Sequence, residues 1–212
     1  MKIAKEGLLF IIPFSILALL FLILEFWIFF VILSLITFCL CFFFRDPKRK
    51  IPKKNNAILS PADGKIVKIQ TLESHQSLPS PTTIISIFLS LLDVHITRAP
   101  LSGLVEKIEF HSGKYFSAYK EEASLKNKSN SIYMKSDGRN ILIRQIVGYA
   151  ARRLKCYVSR NEKIEKGQKI GLMYFGSRVE VFLPPGIQLK IRLNQKVIAG
   201  ETEIAEIEDG KS

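Results

Sequence analysis

Cysteine and histidine are scarce in this sequence, at three each in 212 residues: Cys39, Cys41 and Cys156, and His75, His95 and His111. Three cysteines do not make a disulfide framework, and the odd count fits a reducing compartment. No Cys/His spacing follows a zinc-ligand pattern, so no metal site is expected. There is no glycine-rich phosphate loop and no nucleic-acid motif. An excess of base (31 Lys+Arg against 19 Asp+Glu, formal net charge +12) does not by itself identify a nucleic-acid partner. A hydrophobic content of 48% with 24% charged residues excludes a disordered chain. The length excludes a large multidomain enzyme.

Charge is most nearly absent from residues 8–44, where Glu25 is the single charged residue. One straight helix over that stretch would be about 55 Å long, against a hydrocarbon core of about 30 Å. Two shorter helices, 8–24 and 26–44, turning near Glu25, fit better; one tilted, protruding helix is the alternative. The run is too long for a signal-peptide h-region, and no small-x-small cleavage site comes after it. Both flanks are basic: Lys2 and Lys5 before, and Arg45, Lys48, Arg49, Lys50, Lys53 and Lys54 after. The positive-inside rule places both ends of the hairpin, and the chain beyond Lys54 with them, on the cytoplasmic side of the cell membrane. The 45–54 cluster is expected to meet an anionic membrane surface.

Beyond Lys54 the composition changes. Short β-branched runs alternate with Gly, Pro, Asn and Ser turns, predicting strands at 64–69, 83–88, 104–110, 131–134, 141–147, 155–158, 169–174, 179–183 and 188–193. Nine short strands point to an all-β sandwich or barrel. Residues 73–81 and 120–130 read as polar loops, 145–153 as a bend or helical turn, and 116–126 is ambiguous. The segments 64–69 and 161–171 have the hairpin form of lipoyl- and biotinyl-carrier folds. No lysine stands in a carrier context, so that likeness leaves a non-catalytic, membrane-anchored β-domain adaptor as the alternative.

Four constellations carry candidate chemistry. Ser60-Pro-Ala-Asp63-Gly64 is a turn entering a strand or a carboxylate held at one. In Asp93-Val-His95-Ile-Thr-Arg98-Ala-Pro100, Asp93 and His95 share a face of an extended chain; the bland reading is a hydrogen-bonded histidine at a strand end. Gly113-Lys-Tyr-Phe-Ser-Ala-Tyr is a Gly-led aromatic loop that lines a pocket or covers a core. Gly176-Ser177 lies between two apolar strands, where a structural turn would more often carry Asn or Asp.

These blocks, with Phe44-Arg-Asp-Pro47, Gln145-Ile-Val-Gly-Tyr-Ala-Ala-Arg-Arg153 and Phe175-Gly-Ser-Arg-Val-Glu-Val-Phe-Leu-Pro184, resemble the phosphatidylserine decarboxylase proenzymes in their short bacterial and archaeal form. Six ordered blocks span most of the soluble part. The resemblance implies a mainly β, sandwich or barrel-sandwich catalytic domain behind a helical membrane hairpin. It divides the chain into an anchor at 1–44, a basic juxtamembrane linker at 45–56 and a pyruvoyl-dependent decarboxylase domain at 57–212.

The resemblance also implies a chemistry. Decarboxylating an amino acid leaves a carbanion that needs an electron sink. The Ser177 hydroxyl would attack the Gly176 carbonyl, and β-elimination would then cut the chain into 1–176 (beta chain) and 177–212 (alpha chain), a heterodimer of its own fragments. Residue 177 becomes the pyruvoyl cofactor, whose ketone takes the substrate amine as a Schiff base. Gly176 permits the strained turn. His95 matches the family's decarboxylation histidine and Asp63 its self-cleavage aspartate. Long-form relatives carry a second histidine where Arg98 stands here, and an arginine is a poor general base. The expectation is that Asp63 with His95, or a water, activates Ser177. Arg98 is expected to hold phosphate or carboxylate of the phosphatidylserine substrate; Lys114 and Arg178 are candidates to meet the lipid phosphate, with a solvated surface role as the alternative for each. His75 is expected on an exposed loop; for His111, next to Gly113, a place flanking the pocket is the lesser alternative.

Overall fold

The computed structural model describes residues 2–73, 78–116, 124, 126–148 and 153–208, in two compact units, Met1–Lys48 and Arg49–Ser212. His75, part of the 113–119 aromatic loop and residues 149–152 lie outside the described residues.

The first unit runs β1 (Lys2–Ile3), α1 (Lys5–Ile23), α2 (Trp27–Phe43) and β2 (Arg45–Asp46). The helices pack as a hairpin. Glu25 takes φ 59°, and the Phe26 N–H closes the turn on the Phe21 carbonyl at 2.9 Å. The split at Glu25 expected from sequence is therefore what forms. At 1.5 Å per residue the helices are about 29 and 26 Å long. By length and composition α1 is long and apolar enough to cross a membrane; α2 is shorter. Many apolar side chains on both face outward, Leu9 at 71% and Ile28 at 74% exposed. β1 pairs antiparallel with β2, Lys2 opposite Asp46, so both ends of the hairpin lie together. Gly7 is needed there: a Cβ would stand 2.5 Å from that of Phe44.

The second unit is mainly β. Its strands are β3 (Ala57–Leu59), β4 (Gly64–Leu72), β5 (Thr82–Leu89), β6 (Ile96–Arg98), β7 (Gly103–His111), β8 (Ser129–Ser136) and β9 (Arg139–Val147). They continue as β10 (Leu154–Cys156), β11 (Lys163–Ile164), β12 (Lys169–Met173), β13 (Ser177–Leu183), β14 (Ile187–Leu189), β15 (Lys196–Val197) and β16 (Glu203–Ile207). A curled, half-barrel sheet has the order β11-β7-β8-β9-β13-β5-β4-β15, and two three-stranded sheets run β10-β12-β6 and β14-β16-β3. One core joins all three. Ile66, Ile85, Ile87, Ile132, Ile143, Val179 and Val181 of the large sheet meet Ile170 and Met173 of β12, and Ile58, Ile204 and Ala205 of the other small sheet. Fully burying each such side chain contributes about 1.5–3 kcal/mol. This is the sandwich-like architecture that the strand pattern predicts.

Seven of the nine expected strands form over most of their length; 155–158 is strand only at 155–156, in β10, and 188–193 only at 188–189, in β14, because the chain leaves the sheet after Leu189. β3, β6, β11, β15 and β16 are additional; at two to five residues they are too short to show an alternation.

Candidate active site

The link from β12 to β13 is the three residues Tyr174-Phe175-Gly176, and it is strained. Phe175 has φ 44° and Gly176 φ 42°. A left-handed conformation costs a residue with a Cβ about 1–2 kcal/mol, and glycine escapes that cost. Space is not the constraint at Gly176, since a Cβ there would meet nothing within 4 Å. Ser177 is the first residue of β13, wholly buried. It lies opposite Leu89 on β5 and Val147 on β9. The serine is thus part of a central strand and not of the turn before it. Its hydroxyl donates a long contact, 3.4 Å, to the Phe175 carbonyl. By strand alternation it shares the face of Val179, Val181 and Leu183, which enter the core.

His95 reaches this place from the β5–β6 connection. Its carbonyl accepts from the Met173 N–H at 3.0 Å, two residues before Phe175, and the residue is 1% exposed. Nδ1–H donates to the Asp93 main-chain carbonyl at 2.9 Å, which assigns the lone pair of the neutral ring to Nε2. The Asp93 carboxylate does not face the imidazole. It accepts from the N–H and Oγ of Ser90, at 2.8 and 2.6 Å, and closes the turn that carries the histidine. Ser90 comes directly after Leu89, so serine and imidazole are fixed to one another by two short routes through the backbone.

Asp63 lies at the neighbouring strand start. Arg49 donates to both of its carboxylate oxygens, at 3.0 and 2.9 Å, and the Ala199 N–H donates to Oδ1 at 2.8 Å. Gly64, at φ 146°, lets β4 close on β5: a Cβ would lie 2.2 Å from the Phe88 carbonyl. Asp63 and Ser177 stand on either side of β5, a backbone separation of about 10 Å. Arg49, read from sequence as part of a linker, is a member of the second unit through this ion pair.

The three expected substrate cations stand on different elements. Arg98 is buried on β6 and donates to the Gly167 carbonyl at 2.9 Å. Arg178 is next to Ser177 in the strand and so takes the opposite face of β13. There it donates to Ser124 at 2.9 Å and lies 4.0 Å from Glu180, along a cavity of about 360 Å³ that Arg144 and Ser86 also line. Strand alternation, which a motif match ignores, is the reason. Lys114 is exposed in the loop after β7, its ammonium 6.0 Å from the Phe116 ring. His111 is exposed at the end of β7.

Sequence reasoning passed over a buried polar patch. Gln145 shares the inward phase of Ile141 and Ile143 on β9. It donates to Thr97, two residues beyond His95, and accepts from Asn130 at 2.9 Å. A polar residue in the inward phase of an apolar strand was the available signal. Asn127, downstream of the Gly-led loop and without an evident role in sequence, is buried and bonds the Phe116 N–H and carbonyl, each at 2.8 Å, and the Val147 carbonyl at 2.9 Å.

The family model for phosphatidylserine decarboxylase matches residues 36–205. Relatives named phosphatidylserine decarboxylase proenzyme align over most of the chain. That of Syntrophus aciditrophicus is 39% identical over 95% of this chain and 96% of its own length. That of Carboxydothermus hydrogenoformans is 36% identical over 96% and 95%. That of Gluconobacter oxydans is 40% identical over 80% and 77%. With a family match across most of its length and full-length relatives at this identity, the chain belongs to the phosphatidylserine decarboxylase family.

Proposed function

We propose that this protein is a self-processing phosphatidylserine decarboxylase that converts phosphatidylserine to phosphatidylethanolamine and carbon dioxide in phospholipid synthesis. The observation that carries this reading is the buried Ser177, fixed in a central strand directly after two left-handed residues, with His95 tied to the same backbone. The word proenzyme in the relatives' names supports processing.

Self-cleavage begins as Ser177 Oγ bonds to the Gly176 carbonyl carbon and the amide nitrogen leaves, giving an ester. Loss of the residue-177 Cα proton then expels the Gly176 carboxylate and leaves a dehydroalanine. Water replaces its nitrogen, released as ammonia, so that residue 177 ends as a pyruvoyl group. The residues fit such a group: it arises from the chain itself, and the Gly176 side of the bond is open. Its carbonyl supplies the electron sink that decarboxylation needs. His95, with Nδ1–H committed to Asp93, is the group that moves a proton at Nε2. Asp63 is oriented by Arg49 and Ala199 to hold charge beside the cleavage region. Lys114, exposed in the loop after β7, is the cation assigned to a lipid phosphate in this reading; Arg98 and Arg178 fit structural roles better, given their contacts.

The apolar hairpin is the anchor, with the catalytic domain on the cytoplasmic face of the cell membrane. The pairing of β1 with β2 supports this, because it gathers Lys2, Lys5, Arg45 and Lys48 at one end. Ser177→Ala tests the whole reading. Wild type is expected as fragments 1–176 and 177–212 by intact mass, and the variant as one uncut chain that releases no carbon dioxide. Retained decarboxylation refutes the cofactor; an uncut, inactive wild type favours the adaptor.

A further inference from the structure

The turn Ser90-Leu91-Leu92-Asp93 lifts two leucines off the second unit. The residues on either side of it are buried, Leu89 at 0% and Val94 at 3%, while Leu91 is 57% and Leu92 71% exposed. The turn is closed by side-chain and backbone bonds between Ser90 and Asp93, so the exposure is built in. Leu89 is the residue opposite Ser177; the tip begins two residues beyond the serine's strand partner.

On the other side of Ser177, Val147 leads to a basic loop. The Val147 N–H donates to the Lys128 carbonyl at 3.1 Å, and the Lys114 N–H to the Lys126 carbonyl at 2.7 Å. Lys114 and Lys126 are exposed. Their ammonium groups stand 6.0 and 5.8 Å from the ring of Phe116. One edge of the sheet therefore presents an apolar tip and a cationic, aromatic loop, with the reactive serine between them.

We infer that this edge is a membrane-docking rim of the catalytic unit itself. Leu91 and Leu92 enter the hydrocarbon of an anionic bilayer, while Lys114, Lys126 and Lys128 meet its headgroups. The occupant is set by the chemistry. Apolar side chains at a tip with flanking lysines match the interface of an anionic bilayer. Ser177 is wholly buried, and the tip and the basic loop follow from its two strand neighbours, Leu89 and Val147. The inference rests on the proposed lipid substrate, and it differs from the role of the apolar helices: they retain the protein at the membrane, whereas the rim orients the site toward it.

The full-length protein in anionic lipid nanodiscs tests it. Leu92→Trp is made in a Trp27→Phe background, and lipids brominated on the acyl chains serve as quenchers. The expected result is blue-shifted indole emission that the bromines quench, with less quenching in purely zwitterionic discs. Water-like, unquenched emission overturns the rim. So does an indole shielded from water but untouched by bromine, because protein would then cover the tip. In parallel, the double variant Leu91→Ser/Leu92→Ser is assayed on bilayer phosphatidylserine and on monomeric dihexanoyl phosphatidylserine. Turnover on the bilayer should fall at least about tenfold while the soluble substrate stays within about twofold. An equal loss on both overturns the rim in favour of a structural loop. A wild type that turns over neither substrate sinks the proposed function, and the quenching then decides the rim alone.

Discussion

Gly176 shows how a single dihedral separates two explanations of one residue. A Cβ would have open space there, so steric exclusion is not why glycine is suited to it. Its φ of 42° is the reason, and asparagine tolerates that region where a β-branched residue does not. Gly176→Asn should therefore still be processed, and Gly176→Val should remain uncut; intact mass of the purified chains distinguishes them. Phe175 has the same left-handed sign without glycine's freedom, so the strain is held by the strands on either side. Strain of this kind gathers at functional sites. From sequence, the Gly176-Ser177 pair was legible only as a suspicious interruption. Its conformation was not, because φ is set by how β12 and β13, which belong to different sheets, must be joined across three residues.

At the scale of elements, alternation decided which motif residues meet. Along β13, Ser177, Val179, Val181 and Leu183 face the core, which leaves Arg178 and Glu180 to the opposite side. The sequence block containing Ser177 and Arg178 invited both into one site, and the pleat separated them. On β9 the same rule turned Gln145 inward to Thr97 and Asn130. The segments flanking the site depend on Asn127, whose amide holds Phe116 at both backbone groups and Val147 at its carbonyl. Asn127→Ala should cost about 2–4 kcal/mol locally, since each lost bond contributes about 0.5–1.5 kcal/mol and a buried group left unpaired costs more. Hydrogen exchange should rise at Phe116 while β5 stays protected. Protection unchanged at Phe116 would mean that the loop is held by other contacts.

At the scale of the whole molecule, the proposed cut falls where the fold can survive it. Fragment 177–212 would supply β13, β14, β15 and β16. β13 is hydrogen-bonded on both edges, to β5 and to β9, β15 to β4 and β16 to β3. Val179, Val181, Leu183, Val197 and Ile204 enter the common core. Asp63 in the larger fragment accepts from Ala199 in the smaller. The two fragments should co-elute in native size exclusion and part only in denaturant. Release of the smaller fragment in native buffer would show that cleavage is accompanied by a rearrangement of the sheet.

The sequence by itself determined the apolar hairpin with its turn at Glu25, the mainly β class and the seven strands β4, β5, β7, β8, β9, β12 and β13. Those arise from local composition and periodicity, which need no knowledge of neighbours. It also brought out Asp63, His95, Gly176 and Ser177 as the candidate set. Tertiary structure alone decided that Asp63 pairs with Arg49, that the Asp93 carboxylate closes its own turn while its carbonyl accepts from His95, and that Arg98 donates to the Gly167 carbonyl. Each of these depends on which strands become neighbours across long sequence separations. The two leucines at the tip of the β5–β6 turn carry no assignment in the sequence pattern; only the folded chain shows them exposed.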